Sequence, residues 1–181
     1  INDLIPIVAP ILDRPFFLWG HCLGGLIAYE LALALEQFKI HASCLIASAC
    51  PAPQQAHLLF KNSFCTLDDE TFLTEIDNLM KGDVQKQLTQ KNIIKILLPG
   101  LKADFSLYET YQHNPSSSAL HCPIHTALGT NDHLLNPDQI ADWKTLTRCD
   151  HSHRTLPNQG HYFIDLIHNQ FAQHLKQLVT P

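Results

Sequence analysis

Apolar residues in this chain fall into short blocks separated by polar or glycine-rich breaks, and the spacing within each block predicts its structure. Phe16-Phe17-Leu18-Trp19, closed by Gly20, is a compact apolar run of the kind that forms a buried strand. Leu26 to Leu35 is a longer Leu/Ala run that reads as a buried helix ending near Phe38-Lys39. His41 to Ser48 is short and apolar enough for a central parallel strand, and Pro51-Ala52-Pro53 stops it. Strand, helix and strand in this order make one right-handed crossover unit. Ahead of it, Leu4, Ile5, Val8, Ile11 and Leu12 lie at helical spacing, interrupted by Pro6 and Pro10.

The pattern then changes. No strand candidate occurs between residues 57 and 118. Thr66-Leu67-Asp68-Asp69 resembles a capping box before a helix running to about Met80, with Gly82 as its stop. Val84 to Leu98 mixes polar and apolar residues at helical spacing, and Leu98-Pro99-Gly100 is expected to break it. A further helix places Leu101, Phe105, Tyr108 and Tyr111 on one face as far as Asn114-Pro115. Strand character returns over Cys122 to Leu128, ending at Gly129. Asn136-Pro137 is an N-cap with proline in the first helical position, opening a helix over 138–147. His153 to Leu156 reads as a short last strand, and Tyr162 to Leu178 as an amphipathic helix with Phe163, Ile164, Ile167, Phe171, Leu175 and Leu178 on one side. The class is therefore α/β, a mostly parallel sheet flanked by helices. Residues 1–56 and 115–181 form its core, and 57–114 are inserted as a helical lid.

At 181 residues the chain is long enough for one domain with a sizeable core. Its charge of −5 argues against nucleic acid as a partner, and no apolar run reaches membrane-spanning length. The six cysteines (22, 44, 50, 65, 122 and 149) form no C-x-x-C pair, so reduced thiols in a cytoplasmic protein are expected; a monomer is expected as well. The chain starts at Ile1 with one short segment before the first strand. Sheets of this type place several strands there, so an earlier part of the fold is expected to be missing.

The chemistry centres on Gly20-His21-Cys22-Leu23-Gly24, which lies between a strand and a helix as a nucleophile elbow requires. Gly20 and Gly24 flank Cys22, where a Cβ is expected to collide with the neighbouring strand and helix. Cys22 then sits at the helix N-terminus, where the dipole favours an anion and the Leu23 N–H is placed to donate to an oxyanion. In α/β-hydrolases the nucleophile is followed by an acid and then a histidine. Gly129-Thr130-Asn131-Asp132 supplies Asp132 after a strand, and Gly160-His161 supplies His161 at the next strand–helix junction. Asp138 and Asp150 are rival acids, but one fits a helix's first turn and the other a polar loop. His21 is expected to pack beside the nucleophile or line the substrate pocket. Cys149-x-His151-x-His153 is the best local metal-ligand cluster, but without a fourth ligand at diagnostic spacing no metal or other cofactor is expected.

At this point the sequence resembles the type II thioesterases, the stand-alone editing enzymes of polyketide and nonribosomal peptide assembly lines. The resemblance runs through Pro15-Phe16-Phe17-Leu18-Trp19-Gly20-His21 and Ala28-Tyr29-Glu30-Leu31. It continues in Leu97-Leu98-Pro99-Gly100-Leu101-Lys102-Ala103-Asp104-Phe105, Tyr108-Glu109-Thr110-Tyr111, Cys122-Pro123-Ile124, Gly129-Thr130-Asn131-Asp132, Trp143 and Gly160-His161-Tyr162-Phe163. It implies hydrolysis of acyl thioesters from the phosphopantetheine arm of carrier proteins, with Cys22 as nucleophile, His161 as general base and Asp132 orienting it. An apolar acyl pocket under the lid, partly lined by Leu79, Met80, Leu97, Leu101 and Phe105, is expected. The family usually has Ser where this chain has Cys22, by nature or by engineering, and its N-terminal loop that supplies a second oxyanion donor has no counterpart here. A Cys-bound acyl group retains thioester free energy, so an acyltransferase is the alternative, followed by a non-catalytic carrier-protein binder. Five of the twelve basic residues, Lys81, Lys86, Lys91, Lys95 and Lys102, fall in one stretch with Asp83 as its only acid. Lys86 and Lys91 are the candidate docking residues for an acidic carrier-protein helix.

Overall fold

The computed structural model describes residues 1–59, 63–79, 81 and 91–163. Four strands, β1 (Phe17–His21), β2 (Cys44–Ser48), β3 (Ile124–Gly129) and β4 (His151–Leu156), form a parallel sheet in the spatial order β1-β2-β3-β4. Register is set by pairs such as Gly20↔Ala47, Ala47↔Thr126 and Thr126↔His153. All five residues of β2 are buried, as expected for a central parallel strand covered on both faces. The strand expected after Pro15 is present but is not the buried one its apolar run predicts: β1 is an edge strand of the described sheet, and Phe17 and Trp19 remain 40% and 39% exposed.

A short helix α1 (Ile5–Val8), continued by a 3-10 turn (Ala9–Ile11), precedes β1. Helix α2 (Leu23–Glu36) packs on β1 and β2 and buries Leu26, Tyr29, Ala32 and Leu35. Tyr29 meets the fully buried Trp143 edge-on at 5.7 Å, and the Trp143 Nε1–H donates to the Cys50 carbonyl at 3.0 Å. Buried side chains of this size each stabilise by about 1.5–3 kcal/mol, so this layer is a main anchor of α2.

Between β2 and β3 the described residues contain helices and no strand, as the pattern predicts. After a 3-10 helix (Pro53–Leu58) and a second one (Phe64–Thr66) come α3 (Asp69–Leu79) and α4 (Lys91–Thr110). Two local readings are corrected here. The cap of α3 is Asp68, whose Oδ1 accepts from the N–H groups of Glu70 (3.1 Å) and Thr71 (3.0 Å); Thr66 belongs to the preceding 3-10 turn. Helix α4 runs unbroken through Pro99 for 20 residues instead of stopping there. An interior proline costs about 3 kcal/mol. Leu98, Phe105 and Tyr108 lie buried on one continuous face of α4, and their burial outweighs that cost, while Pro99 and Gly100 lie on the exposed side. The Gly82 stop, the part of the helical stretch before residue 91 and the C-terminal helix past Phe163 lie outside the described residues.

Helices α3 and α4 are joined by Phe105, which packs on Phe64 (5.6 Å) and Phe72 (5.4 Å), and by Lys102. The Lys102 ammonium donates to the Leu67 carbonyl (2.9 Å) and the Asp69 carboxylate (2.6 Å). Tyr111, directly after α4, ties the end of that helix to α2 by donating from its hydroxyl to Glu30 at 2.7 Å. After β3, Asn136 and Gln139 form a reciprocal capping box on α5 (Pro137–Ala141). The rest of the helix expected there tightens into a 3-10 turn (Asp142–Leu146). β4 begins two residues earlier than expected. Its His-Ser-His-Arg start gives no apolar signal, and pairing with β3 defines it.

Candidate active site

The elbow is built by backbone geometry. Cys22 has φ 53° and ψ −125°, a conformation that non-glycine residues adopt at a cost of about 1–3 kcal/mol. It is held there at both ends: the Cys22 N–H donates to the Ser48 carbonyl (2.9 Å), and the Cys22 carbonyl accepts from the Gly25 N–H (2.9 Å). A Cβ on Gly20 would strike the Gly24 carbonyl, so Gly20 lets the first turn of α2 lie against β1. The space around a Cβ on Gly24 is open, contrary to expectation; the second constrained glycine is Gly25, where a Cβ would lie 2.6 Å from the Cys50 sulfur. Gly24 contributes its backbone to the close approach, and its own α-carbon faces away from the sheet.

Asp132 and His161 reach the same edge from β3 and β4. The Asp132 N–H bonds back to the Gly129 carbonyl (3.2 Å), and its Oδ1 accepts from the N–H groups of Leu134 (2.9 Å) and Leu135 (3.1 Å). This leaves Oδ2 to meet His161 Nδ1 at 2.9 Å, with both side chains buried. The other side of the imidazole engages the Cys22 sulfur, so the three expected residues converge. The Leu23 N–H also bonds the Cys22 sulfur. Asp138 and Asp150 stay in a helix's first turn and a loop, as their local sequence suggests.

Electrostatics favours an ion pair. Burial pushes the Cys22 thiol up, but the hydrogen bond and positive charge of His161, with hydrogen bonds from Tyr108 and Leu23, bring it below the ordinary thiol value. Burial works against the His161 charge as well, yet the bond to Asp132 and the bond and charge of Cys22 push it up to about 10. Each group thus favours the charged form of the other, the thiolate of Cys22 and the imidazolium of His161.

The remaining candidates separate. His21 lies against the His161 imidazole (5.3 Å) and Phe163 (5.2 Å), and its Nδ1 bonds the buried Ser48 hydroxyl (3.1 Å). Burial and the neighbouring His161 charge lower His21 to about 4, so it stays neutral and packs beside His161. Leu79 and Leu101 pack against the core, and Phe105 lies inside the α3–α4 cluster. Leu97 is corrected to a surface residue, 48% exposed on the outer side of α4, because the buried face of the helix follows Leu98. Met80 and Lys86 lie outside the described residues, and Lys91 is the first residue of α4. Lys102 is committed to Asp69 and Leu67 and leaves the free basic set.

One residue of the site was missed. Tyr108, from α4, places its hydroxyl 3.7 Å from the Cys22 sulfur and is only 3% exposed. Its spacing from Phe105 and Tyr111 marked it as a member of a buried helix face, and nothing in the sequence indicated which element that face would meet. The Cys149-His151-His153 cluster is not assembled: the Cys149 thiol turns to the His121 carbonyl (3.3 Å), while both imidazoles bond Thr126. Among the described residues, Glu36, His41 and His121 bring three potential ligand atoms within 4.8 Å of one another. They act as a hydrogen-bonded staple, since the Glu36 carboxylate accepts from the His121 N–H (2.7 Å) and pairs with its imidazole (3.0 Å). No described helix is long and apolar enough to cross a membrane.

A parallel sheet that carries a cysteine on a strained strand–helix elbow after one strand, a carboxylate after the next but one and a histidine after the last described one has the architecture of an α/β-hydrolase. Over residues 2–178 the chain matches the Thioesterase domain family, and it belongs to that family. It is 31% identical over 169 residues to the gramicidin S biosynthesis protein GrsT of Aneurinibacillus migulanus, covering 91% of this chain and 64% of that protein. It is 32% identical over 166 residues to the thioesterase PikA5 of Streptomyces venezuelae, covering 90% and 57%. The chain thus spans less than two thirds of the length of these relatives. Among solved structures, ClbQ from the colibactin NRPS/PKS pathway superposes with a TM-score of 0.83 at 27% identity, over 98% of this chain and 74% of that one. The type II thioesterase BorB from the borrelidin biosynthetic cluster shares the fold, with a TM-score of 0.80 at 24% identity over 97% and 67%.

Proposed function

We propose that this chain hydrolyses acyl groups from the phosphopantetheine arm of carrier proteins, as an editing thioesterase of polyketide or nonribosomal peptide synthesis. The observation that carries this reading is the His161 ring, held by Asp132 on one side and engaged with Cys22 on the other. The Cys22 thiolate attacks the thioester carbonyl, and the Leu23 N–H donates to the oxyanion. The carbon–sulfur bond to the arm breaks, and the His161 imidazolium gives its proton to the departing thiolate. Acylation also removes the Cys22 charge that raises His161. The now neutral imidazole takes a proton from water as the water oxygen attacks the acyl-enzyme, and the free acid leaves with the thiolate–imidazolium pair restored.

Residues 57–114 act as a lid on the core formed by 1–56 and 115–181. Leu79 and Leu101, half-buried against the core, line the inner side of the lid in this reading. The acidic carrier protein docks on the basic stretch through Lys86 and Lys91. A reducing cytoplasmic setting agrees with six cysteines that are all free. The names of GrsT, PikA5 and ClbQ, which speak of biosynthesis, thioesterase activity and an NRPS/PKS pathway, support this class of partner.

The identity of residue 22 favours a second reading, transfer of the acyl group to an amine or alcohol, because a cysteine acyl-enzyme is still a thioester. Both are tested by incubating the protein with acetyl- and longer acyl-carrier proteins and following intact mass. Hydrolysis unloads the carrier and yields free acid, and both events disappear in Cys22→Ala. Product that forms only when an amine or alcohol is supplied marks a transferase. A carrier that stays loaded, with no adduct on Cys22, refutes both.

A further inference from the structure

We propose that Tyr108 is a hydrogen-bond donor to the Cys22 sulfur, carried on α4, so that the position of this helix sets the reactivity of the nucleophile. The inference rests on Cys22 being the nucleophile. Its geometry is specific: the phenol oxygen lies 3.7 Å from Cys22 Sγ, within range of an O–H···S bond, on a side chain that is 3% exposed. A phenol has one proton to give, and Cys50 competes for it as the second sulfur within reach. Cys50 is completely buried and is held as a neutral thiol, with its own proton directed at the Pro51 carbonyl (3.4 Å). Cys22 is the sulfur that His161 and the Leu23 N–H also bond, which favours its ionised form, and an ionised acceptor makes the stronger bond. The phenol proton therefore goes to Cys22.

Two contacts aim the donor. Directly after the last residue of α4, Tyr111 is fastened to Glu30 of α2 (2.7 Å), and one turn before Tyr108 on the helix Phe105 is wedged between Phe64 and Phe72. Tyr108 thus reports on how α4 is seated. With α4 in place, the thiolate has an extra donor and is populated at lower pH, but it is a weaker base and a weaker nucleophile. If an entering acyl arm lifts α4, the donor leaves and the sulfur becomes more reactive when substrate is present.

The test is the pH dependence of Cys22 alkylation by iodoacetamide, read by peptide mass, in wild type and in Tyr108→Phe. Loss of the donor is expected to raise the Cys22 midpoint by about one pH unit, a tenfold loss of thiolate below it. The limiting rate at high pH should rise about threefold, because nucleophilicity increases with basicity. The two profiles therefore cross, which a purely structural role of Tyr108 would not produce. Superimposable profiles, or a uniform drop at every pH, overturn the inference. If wild-type Cys22 is no more reactive than the other five thiols, the nucleophile assignment itself fails. A check that needs no variant is the ring-carbon NMR shift of Tyr108 in the wild-type protein. It should titrate with the Cys22 midpoint and cease to do so once Cys22 is alkylated; a shift that does not move with Cys22 overturns the inference.

Discussion

Gly129 packs its α-carbon against the carbonyl of Gln159, so closely that a Cβ on Gly129 would collide with it. Around this contact the Asn131 N–H donates to the same carbonyl (2.8 Å), and the Asn158 N–H donates to the Thr130 hydroxyl (2.7 Å). The loops after β3 and β4 are laced together here, and the lacing sets Asp132 opposite His161. Gly129→Ala is expected to spread the loops and lower kcat by roughly 10²-fold, the scale of a misplacement of about 1 Å. Steady-state kinetics beside a melting curve checks this; unchanged kcat in a folded variant would show that the contact does not set the pair.

Asp132→Asn should cost more. Oδ1 of residue 132 accepts from the N–H groups of Leu134 and Leu135, so an asparagine oxygen is pinned there and its NH2 faces His161 Nδ1. The imidazole is forced into the tautomer whose N–H points at the sulfur and can no longer accept a proton from that side. A fall in kcat of about 10⁴-fold is expected, with a melting temperature near wild type. Retention of a tenth or more of the activity would remove Asp132 from the orienting role.

The elevated His161 value, about 10, depends in part on the charge and hydrogen bond of Cys22. In Cys22→Ala both are gone, while burial still opposes the charge and only Asp132 supports it. The His161 midpoint is expected to drop well below its wild-type value when followed by imidazole NMR. An unmoved midpoint would mean that the two groups do not titrate as a pair.

The same pair predicts how stability varies with pH. His161 is raised in the native state, so its contribution is fully present below its unfolded value of 6.5 and is lost as pH rises toward about 10. Cys22 is depressed, so its contribution is present above its unfolded value of 9.0 and is lost as pH falls through its native value. Between the native Cys22 value and 9.0 the two slopes oppose each other, so urea midpoints should vary less with pH there than His161 alone would make them. A steep trend in that range, absent from Cys22→Ala, would contradict the ion pair.

For the partner, K86E combined with K91E is expected to lower kcat/KM for acyl-carrier protein several-fold. The deficit should shrink with added salt, and turnover of a small acyl thioester should be unchanged. Equal loss on both substrates, or none on either, rules out docking at these lysines.

The elements nearest Cys22 were the most legible, because their signals are local. The apolar block before Gly20, the Leu/Ala run after it and the Asn136-Pro137 cap each carry their own instructions within a few residues. Asp132 and His161 were readable because each follows a strand and a glycine in a fixed order. Continuity of α4 was not readable, since Pro99 opposes it locally and only the buried face formed by Leu98, Phe105 and Tyr108 overrides it. Nor was the start of β4, a polar edge strand whose identity comes from its neighbour. Tyr108 at Cys22 is the same kind of miss: the contact spans 86 residues and depends on how two separate elements are seated.

The strictly parallel order of the sheet has a consequence for how the protein is born. A ribosome releases the elbow, strain included, long before β3 and β4 exist to deliver Asp132 and His161. Every pairing that completes the site is non-local, the kind of contact that forms slowly. Until the last crossover closes, residue 22 is an ordinary cysteine without a base, and a chain stalled part-way through folding is chemically quiet. Reactivity of that one thiol is therefore a clock for the completion of folding, and a rapid-quench alkylation experiment during refolding should see it start only after the helical signal has already returned.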